Sequence, residues 1–500
     1  MVYWKEMIKK LLDNKSKTAL LLILILATIL RFINYFNRWG LAYDQARDVI
    51  VATYALDNHV VPLIGPFSSA GAFVYGPQWF WILSLFISLY RNIIIVPWIV
   101  QTWLFIGIVY VMFLIGKELL NKNFGLILAF FTAISTAQIG QATNLTSPSM
   151  AGIFSIISIY FFVRFVKYSK SIDAFILGFL VATTVNIHFQ AIGLLVILPI
   201  AFLLGKRNIK QLAFLIIGFV IPFIPLMIFD LRTNFYESKN MLDYYLYGQN
   251  RLYVPNRWLT YVGYFWPNSW ALIIGGNIFF GYFSILVITI ISVYEILKRK
   301  ITKEMLGLII SFLLIFVMLR YYKGEIFDSY LTFVHPFILI FTSWVFYKIF
   351  KLQKIVFILL IIIITFTTMF ANYRLIISAT NNTAQYASNW RNVLSLKYPN
   401  KRFAVYDYRY KTSAVSVPLS LYLYNQNKID DTGFRIGIVQ ATPGALLEFK
   451  QYPTIYGNPG DFQIVNLNEF NKNDLIKMGW KFVNPNEVYK STEDWYNKLN

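Results

Sequence analysis

The sequence predicts a mainly α-helical protein, a polytopic transmembrane helical bundle of about 11 spans with a small extracytoplasmic α/β domain at its C-terminus. Three observations predict it. The 500 residues are 57% hydrophobic and only 14% charged, against about 25% charged in soluble domains. Apolar runs such as Thr18 to Leu30 and Ile355 to Phe370 approach, with their flanks, the ~20 residues that cross a hydrocarbon core. Beyond about residue 375 those runs give way to mixed sequence.

The elements follow in order. Apolar segments lie at 18–37, 94–116, 124–142, 150–166, 172–187, 190–205, 211–229, 271–296, 304–320, 330–349 and 354–374. The first has a basic front but no small-residue cleavage site, so it reads as a retained helix and not a removable signal. The stretch Pro77 to Tyr90 is ambiguous, and charge parity decides it. Connectors 117–123, 164–171, 206–210, 298–303 and 348–354 are rich in Lys and Arg, which places them in the cytoplasm. The alternate connectors 143–149 and 186–190 carry neither residue, and 321–329 carries only Lys323. Counting Pro77 to Tyr90 as a span would invert every later loop. It is therefore read as an interfacial or re-entrant helix, consistent with its aromatics Trp79, Phe80 and Trp81.

The result is a transmembrane domain, 1–374, with outer loops 38–93 and 230–270, and an outer domain, 375–500. The N-terminus is expected in the cytoplasm of a plasma-membrane protein. In the outer domain RFAVYDY (402–408) and FQIVNL (462–467) read as strands, and 468–480 has helical periodicity.

The net charge of +21 is spread over short connectors instead of one soluble face. That distribution fits membrane topology and argues against nucleic acid as a partner. Cysteine is absent, which excludes disulfides and thiolate metal sites, and three histidines do not make a zinc site.

The first outer loop, LAYDQARDVIVATYALDNHVVPLIGP, carries the chemistry. Asp44 opens a helical pattern, Asp48 lies one turn later on the same face, and Arg47 stands beside both. A carboxylate at the membrane's outer edge, partly desolvated and near a cation, can be tuned to abstract a proton. The alternative is that Asp44 is an N-cap and Arg47 makes local ion pairs.

This loop resembles that of the GT-C membrane glycosyltransferases, especially protein O-mannosyltransferases, the aminoarabinose transferase of lipid A and Rgt-type bacterial relatives. Asp44 matches the family's loop Asp, Ala46 the Ala after it, Ala52 and Ala55 the helix, Asn58 the turn and Pro62 the Pro. The sequence departs from the pattern with Gln45 in place of Glu and Asp48 in place of Tyr. Gly76-Pro77-Gln78-Trp79-Phe80 looks like part of a subgroup of the same family. The resemblance implies that Asp44 is the catalytic base and the donor a polyprenyl-phosphate sugar. Asp48 then either takes the second carboxylate's role or leaves Gln45 to orient the acceptor.

Other polar groups collect at the outer edge. Asn144, His188 and Gln190 are candidates for sugar or acceptor contacts. Against this, Ser147 or Ser149 could simply cap the next span and His188 could be a packing residue. Arg47, Arg232, Arg257, Arg320, Lys323 and Tyr330 are candidates for the donor's phosphate, with headgroup snorkelling the alternative for the basic ones. The expected activity is inverting transfer from a polyprenyl-phosphate sugar to a hydroxyl on a protein, lipid or glycan at the outer face. No cofactor is required, with a small allowance for a divalent metal. The other function class is a transporter or a flippase for lipid-linked oligosaccharide. Such folds show paired halves and broken spans in matching positions, and no such symmetry is visible here.

Overall fold

The computed structural model describes residues 15–68, 71–248, 257–322, 328–379, 382–408, 412–440, 452–457 and 462–493. The chain divides into two compact units. One comprises Met1–Tyr35, Phe67–Gln78 and Trp98–Ala379; the other comprises Phe36–Pro66, Trp79–Pro97 and Thr380–Asn500.

The first unit is the helical bundle. Helix α1 (Lys15–Phe32) precedes two short helices, α2 (Tyr43–Asp57) and α3 (Gln78–Leu89), which belong almost wholly to the second unit. Then come α4 (Val96–Leu119), α5 (Lys122–Ile134), α6 (Thr136–Ala142), α7 (Ser147–Tyr168), α8 (Ser171–Ile187) and α9 (Phe189–Leu204). These are followed by α10 (Ile209–Arg232), α11 (Tyr236–Leu246), α12 (Trp266–Ile274), α13 (Ile278–Leu297) and α14 (Lys303–Tyr321). The bundle ends with α15 (Ser329–Leu352) and α16 (Lys354–Ile377).

Seven of the described helices (α4, α7, α10 and α13 to α16) are long and apolar enough to cross a bilayer, and the α5–α6 pair, bent by 60°, makes an eighth. The other three apolar runs are covered by α1, which carries Lys15, Lys17 and Arg31, and by the shorter α8 and α9. The run expected at 271–296 is not one helix. Gly275 at φ +81° ends α12, and the Asn277 side chain accepts the Phe280 N–H at 3.2 Å to start α13.

The break between α5 and α6 frees backbone carbonyls where water is scarce, and unpaired groups there are costly. Arg31, fully buried in α1, donates to the carbonyls of Ala27, Ala133 and Thr132 at 3.2, 3.1 and 3.3 Å. The Asn372 amide donates to the Ile134 carbonyl at 2.9 Å. A buried arginine thus closes a helix end.

The second unit is built on a five-stranded sheet of β1 (Phe403–Tyr408), β2 (Phe434–Gln440), β3 (Thr454–Tyr456), β4 (Phe462–Asn466) and β5 (Trp480–Phe482), in the order β3-β4-β2-β1-β5. β1 and β2 are parallel and the other pairings antiparallel. Helices α17 (Asn382–Lys397), α18 (Ser413–Asn425), α19 (Lys472–Lys477) and α20 (Pro485–Glu493) complete it. Ala404, Tyr406, Tyr408, Val439, Val465, Leu467, Leu475 and Trp480 form its core. Both predicted strands are present. The helix expected over 468–480 shrinks to α19: Asn471 accepts the Asp474 N–H at 2.9 Å and caps it, and Gly479 at φ +92° ends it. Trp480 then pairs with Tyr408 in the sheet.

Helices α2 and α3 are part of this unit. The Tyr54 hydroxyl donates to Asn486 at 3.0 Å, and Tyr424 and Arg91 bond Asp57 at 2.6 and 2.8 Å. The aromatics of α3 differ in their surroundings. Trp79 and Phe80 are buried and hold the helix within the unit, while Trp81 is partly exposed and donates to the Pro62 carbonyl at 3.0 Å.

Candidate active site

Helix α2 starts at Tyr43, with Ala42 in the capping position. The Ala42 N–H is taken by the Gln45 side-chain oxygen at 3.1 Å, half of a capping box. Asp44 is therefore not the cap; it stands in the first turn, where the helix dipole favours a negative charge. Gln45 has a local task, and the structure adds nothing to its expected contact with an acceptor.

The three charged residues form one chain of contacts. Arg47 reaches Asp44 Oδ1 at 2.9 Å with one terminal nitrogen. Its Nε and other terminal nitrogen reach Asp48 Oδ1 at 2.9 and 2.8 Å. The remaining Asp48 oxygen accepts the Trp79 indole N–H at 2.8 Å. The guanidinium also lies 5.4 Å from the Tyr43 ring centre. The Asp44 side chain is 66% exposed and that of Asp48 only 6%. The sequence expectation of a partly desolvated Asp44 is thus met instead at Asp48.

Electrostatics separates the two carboxylates further. Burial pushes the Asp48 carboxyl above the usual aspartate range, against the opposing pull of Arg47 and Trp79. Burial alone would lower Arg47, but the charges of Asp48 and then Asp44 hold it above its ordinary value. Asp48 is a fully occupied anchor, whereas Asp44 presents its carboxylate to solvent.

The first unit supplies the other candidates. His188, at the C-terminal end of α8, is buried between the rings of Tyr75 and Tyr330, with centroids 4.8 and 4.9 Å away. The Tyr75 hydroxyl and His188 Nε2 are 3.4 Å apart. The Gln190 side-chain oxygen is buried without a hydrogen-bond partner. The Asn144 amide faces the Gln141 side-chain oxygen at 3.5 Å, and that oxygen also accepts the Ser149 hydroxyl at 2.5 Å. Neither Ser147 nor Ser149 caps α7; Thr146 holds that position.

Arg320 lies 4.6 Å from the Trp258 ring centre, with its Nε buried and unbonded. Arg257 donates to the Tyr322 carbonyl, and burial followed by the charge of Arg320 depresses its pKa. Two guanidinium groups are therefore held near one another, and among the described residues neither makes an ion pair with a carboxylate. Guanidinium groups in that arrangement are suited to hold an anion such as a phosphate. Arg232 is exposed in the last turn of α10. Lys323 lies outside the described residues. Among the described residues no three His, Asp or Glu side chains come together as a metal site would need.

No protein-family model and no curated protein sequence matches the chain. Solved structures do. The aminoarabinose transferase ArnT from Cupriavidus metallidurans aligns in its apo state at TM-score 0.57, with 8% identity, over 89% of this chain and 97% of that one. Its complex with undecaprenyl phosphate aligns at 0.58, with 9% identity over the same shares. The Archaeoglobus fulgidus oligosaccharyltransferase, in complex with zinc and sulfate, aligns at 0.52, with 13% identity, over 95% of this chain and 76% of that one.

The chain has the GT-C fold.

At these identities the likeness is one of fold, so residue roles in this GT-C chain rest on its own geometry. Sequence reading found Asp44, Arg47 and Asp48 together but missed Trp79 as their partner, because an aromatic at a membrane edge already had an explanation. It also missed Glu237. That side chain is buried, accepts the Val74 N–H at 3.0 Å and leaves its other oxygen without a partner. Burial, and then the nearby charge of Asp230, push it up to about 8. One acid in a polar loop gives no periodic signal that it will be buried.

Proposed function

We propose that this GT-C chain is a glycosyltransferase that moves a sugar from a polyprenyl-phosphate-linked donor to a hydroxyl acceptor at the outer face of the membrane, with inversion. The carrying observation is Asp44, an exposed carboxylate in the first turn of α2, gripped on one oxygen by Arg47 at 2.9 Å. The polyprenyl-phosphate donor is supported by the fold, since the ArnT structure that aligns with this chain was solved bound to undecaprenyl phosphate. In the reaction, the acceptor oxygen bonds to the anomeric carbon as the bond from that carbon to the phosphate oxygen breaks. Asp44 takes the hydroxyl proton, and the polyprenyl phosphate leaves with the bonding electrons.

The departing phosphate gains negative charge that must be met where it develops. Arg257 and Arg320, close enough to repel one another, fit that need. His188, Tyr330, Asn144 and Gln190 remain the candidates for contacts with the sugar or the acceptor. The N-terminus is assigned to the cytoplasm and the C-terminal domain to the exterior. The test is purified protein in lipid, incubated with a panel of radiolabelled polyprenyl-phosphate sugars and simple hydroxyl acceptors. Transfer by the natural chain that is lost in Asp44→Asn supports the reading. A panel with no transfer, or equal transfer by the variant, overturns it.

A further inference from the structure

Asp44 is exposed, yet a base must be held in one place to abstract a proton in a defined direction. Arg47 grips it by an ion pair at 2.9 Å, and an arginine side chain has four rotatable bonds to lose. The question is what fixes Arg47. Asp48 Oδ1 receives both Nε and a terminal nitrogen of the guanidinium, at 2.9 and 2.8 Å, which sets the plane of the fork. With that plane fixed, the remaining terminal nitrogen points at Asp44. Asp48 in turn has one free rotation about its own carboxyl group, and the Trp79 indole N–H removes it by taking Oδ2 at 2.8 Å. Trp79 is itself 0% exposed, so its ring cannot turn without repacking the unit.

We propose that Trp79, through Asp48 and Arg47, is the positioning residue that holds Asp44 in its reactive orientation, and that Asp48 serves as an ionised link in this relay instead of as a second base. This rests on Asp44 being the base of the proposed transfer. The relay works only while Asp48 is charged, because a protonated carboxyl cannot accept from both Arg47 and Trp79 with the same strength. Activity therefore falls on the acid side as Asp48 takes up a proton. Burial already pushes that event upward, and the indole N–H holds it down. Removing the N–H moves the acid limb to higher pH. A hydrogen bond to a charged group corresponds to a shift of about one pH unit or slightly more.

The test uses Trp79→Phe and, because loss of ring volume could unfold the unit, a second variant bearing the benzothiophene analogue of tryptophan at position 79, which keeps the ring size and lacks the N–H. Transfer is measured as kcat and KM from pH 5 to pH 9. In parallel, dicyclohexylcarbodiimide, which modifies protonated carboxyls, is followed at Asp48 by peptide mass spectrometry, a readout independent of any activity. The expected result is an acid limb moved up by about one unit, a kcat on that limb lowered about tenfold with KM unchanged, and Asp48 labelling that shifts by the same amount. A lesion that merely loosened the structure would lower kcat evenly at all pH values and would refute the relay, as would labelling at an unchanged pH. Labelling that shifts while the natural chain transfers no sugar would uphold the relay and remove the transferase reading.

Discussion

Asp44→Asn and Asp48→Asn are nearly the same chemical change one helical turn apart, and the structure predicts opposite consequences. The Asp44 side chain is 66% exposed and its ion pair with Arg47 is an i,i+3 contact on a helix surface. Such pairs contribute about 0.3–0.5 kcal/mol, so the asparagine variant should unfold within a degree or two of the natural chain. Its activity should fall by two to four orders of magnitude, the usual contribution of a positioned general base. Asp48 is 6% exposed, and both of its oxygens are used by Arg47 and Trp79. Neutralising it leaves the Arg47 guanidinium without its buried partner, a loss of about 3–5 kcal/mol in comparable pairs. In a unit of this size that corresponds to a melting shift of roughly 10 °C. The assay pairs a thermal unfolding scan in lipid with transfer at a temperature where both variants are folded. Equal destabilisation by the two substitutions would refute the division into an exposed base and a buried anchor.

Arg257→Gln and Arg320→Gln should each weaken inhibition by free polyprenyl phosphate by about tenfold or more. The double variant should show less than the product of the two, because each arginine raises the cost of the other; additive effects would separate the two residues. Glu237 has a folded value of about 8 against an ordinary 4.5. The folded chain therefore binds this proton more tightly than the unfolded one, and stability falls as pH rises from about 4.5 and levels off above about 8. Between pH 6 and pH 8 the loss should be about 2–3 kcal/mol in the natural chain and absent in Glu237→Gln, read from melting at each pH. Finally, single cysteines placed at Asp44 and Lys122 in this cysteine-free chain should react with a membrane-impermeant maleimide from outside and only after permeabilisation, respectively; the reverse pattern would invert the topology.

Much of this was legible in the sequence, for definite reasons. Apolar runs of about twenty residues have few structures open to them other than a membrane helix, and each of the eleven runs is helical. Strands 403–408 and 462–466 were visible because their apolar residues cluster between polar turns. Asp44, Arg47 and Asp48 could be grouped because helical spacing brings such neighbours to one face. Where the reading failed, the deciding contact was distant or a stop signal was missed. The glycine pair before Asn277 split a run that looked continuous, and Gly479 cut short the helix expected over 468–480.

The sequence by itself determined the bundle, the small C-terminal α/β domain and the acidic first turn of α2, since each depends on composition or on residues within a turn or two of one another. Only the tertiary structure decided which carboxylate is buried. Asp44 and Asp48 are the same residue type with the same local neighbour, and what separates them is an indole 31 positions away that takes one oxygen and excludes water. The same holds for Arg257 and Arg320, and for Glu237 against Val74. Local pattern fixes which groups are available, but burial and charge pairing are set by segments that meet only in the folded chain.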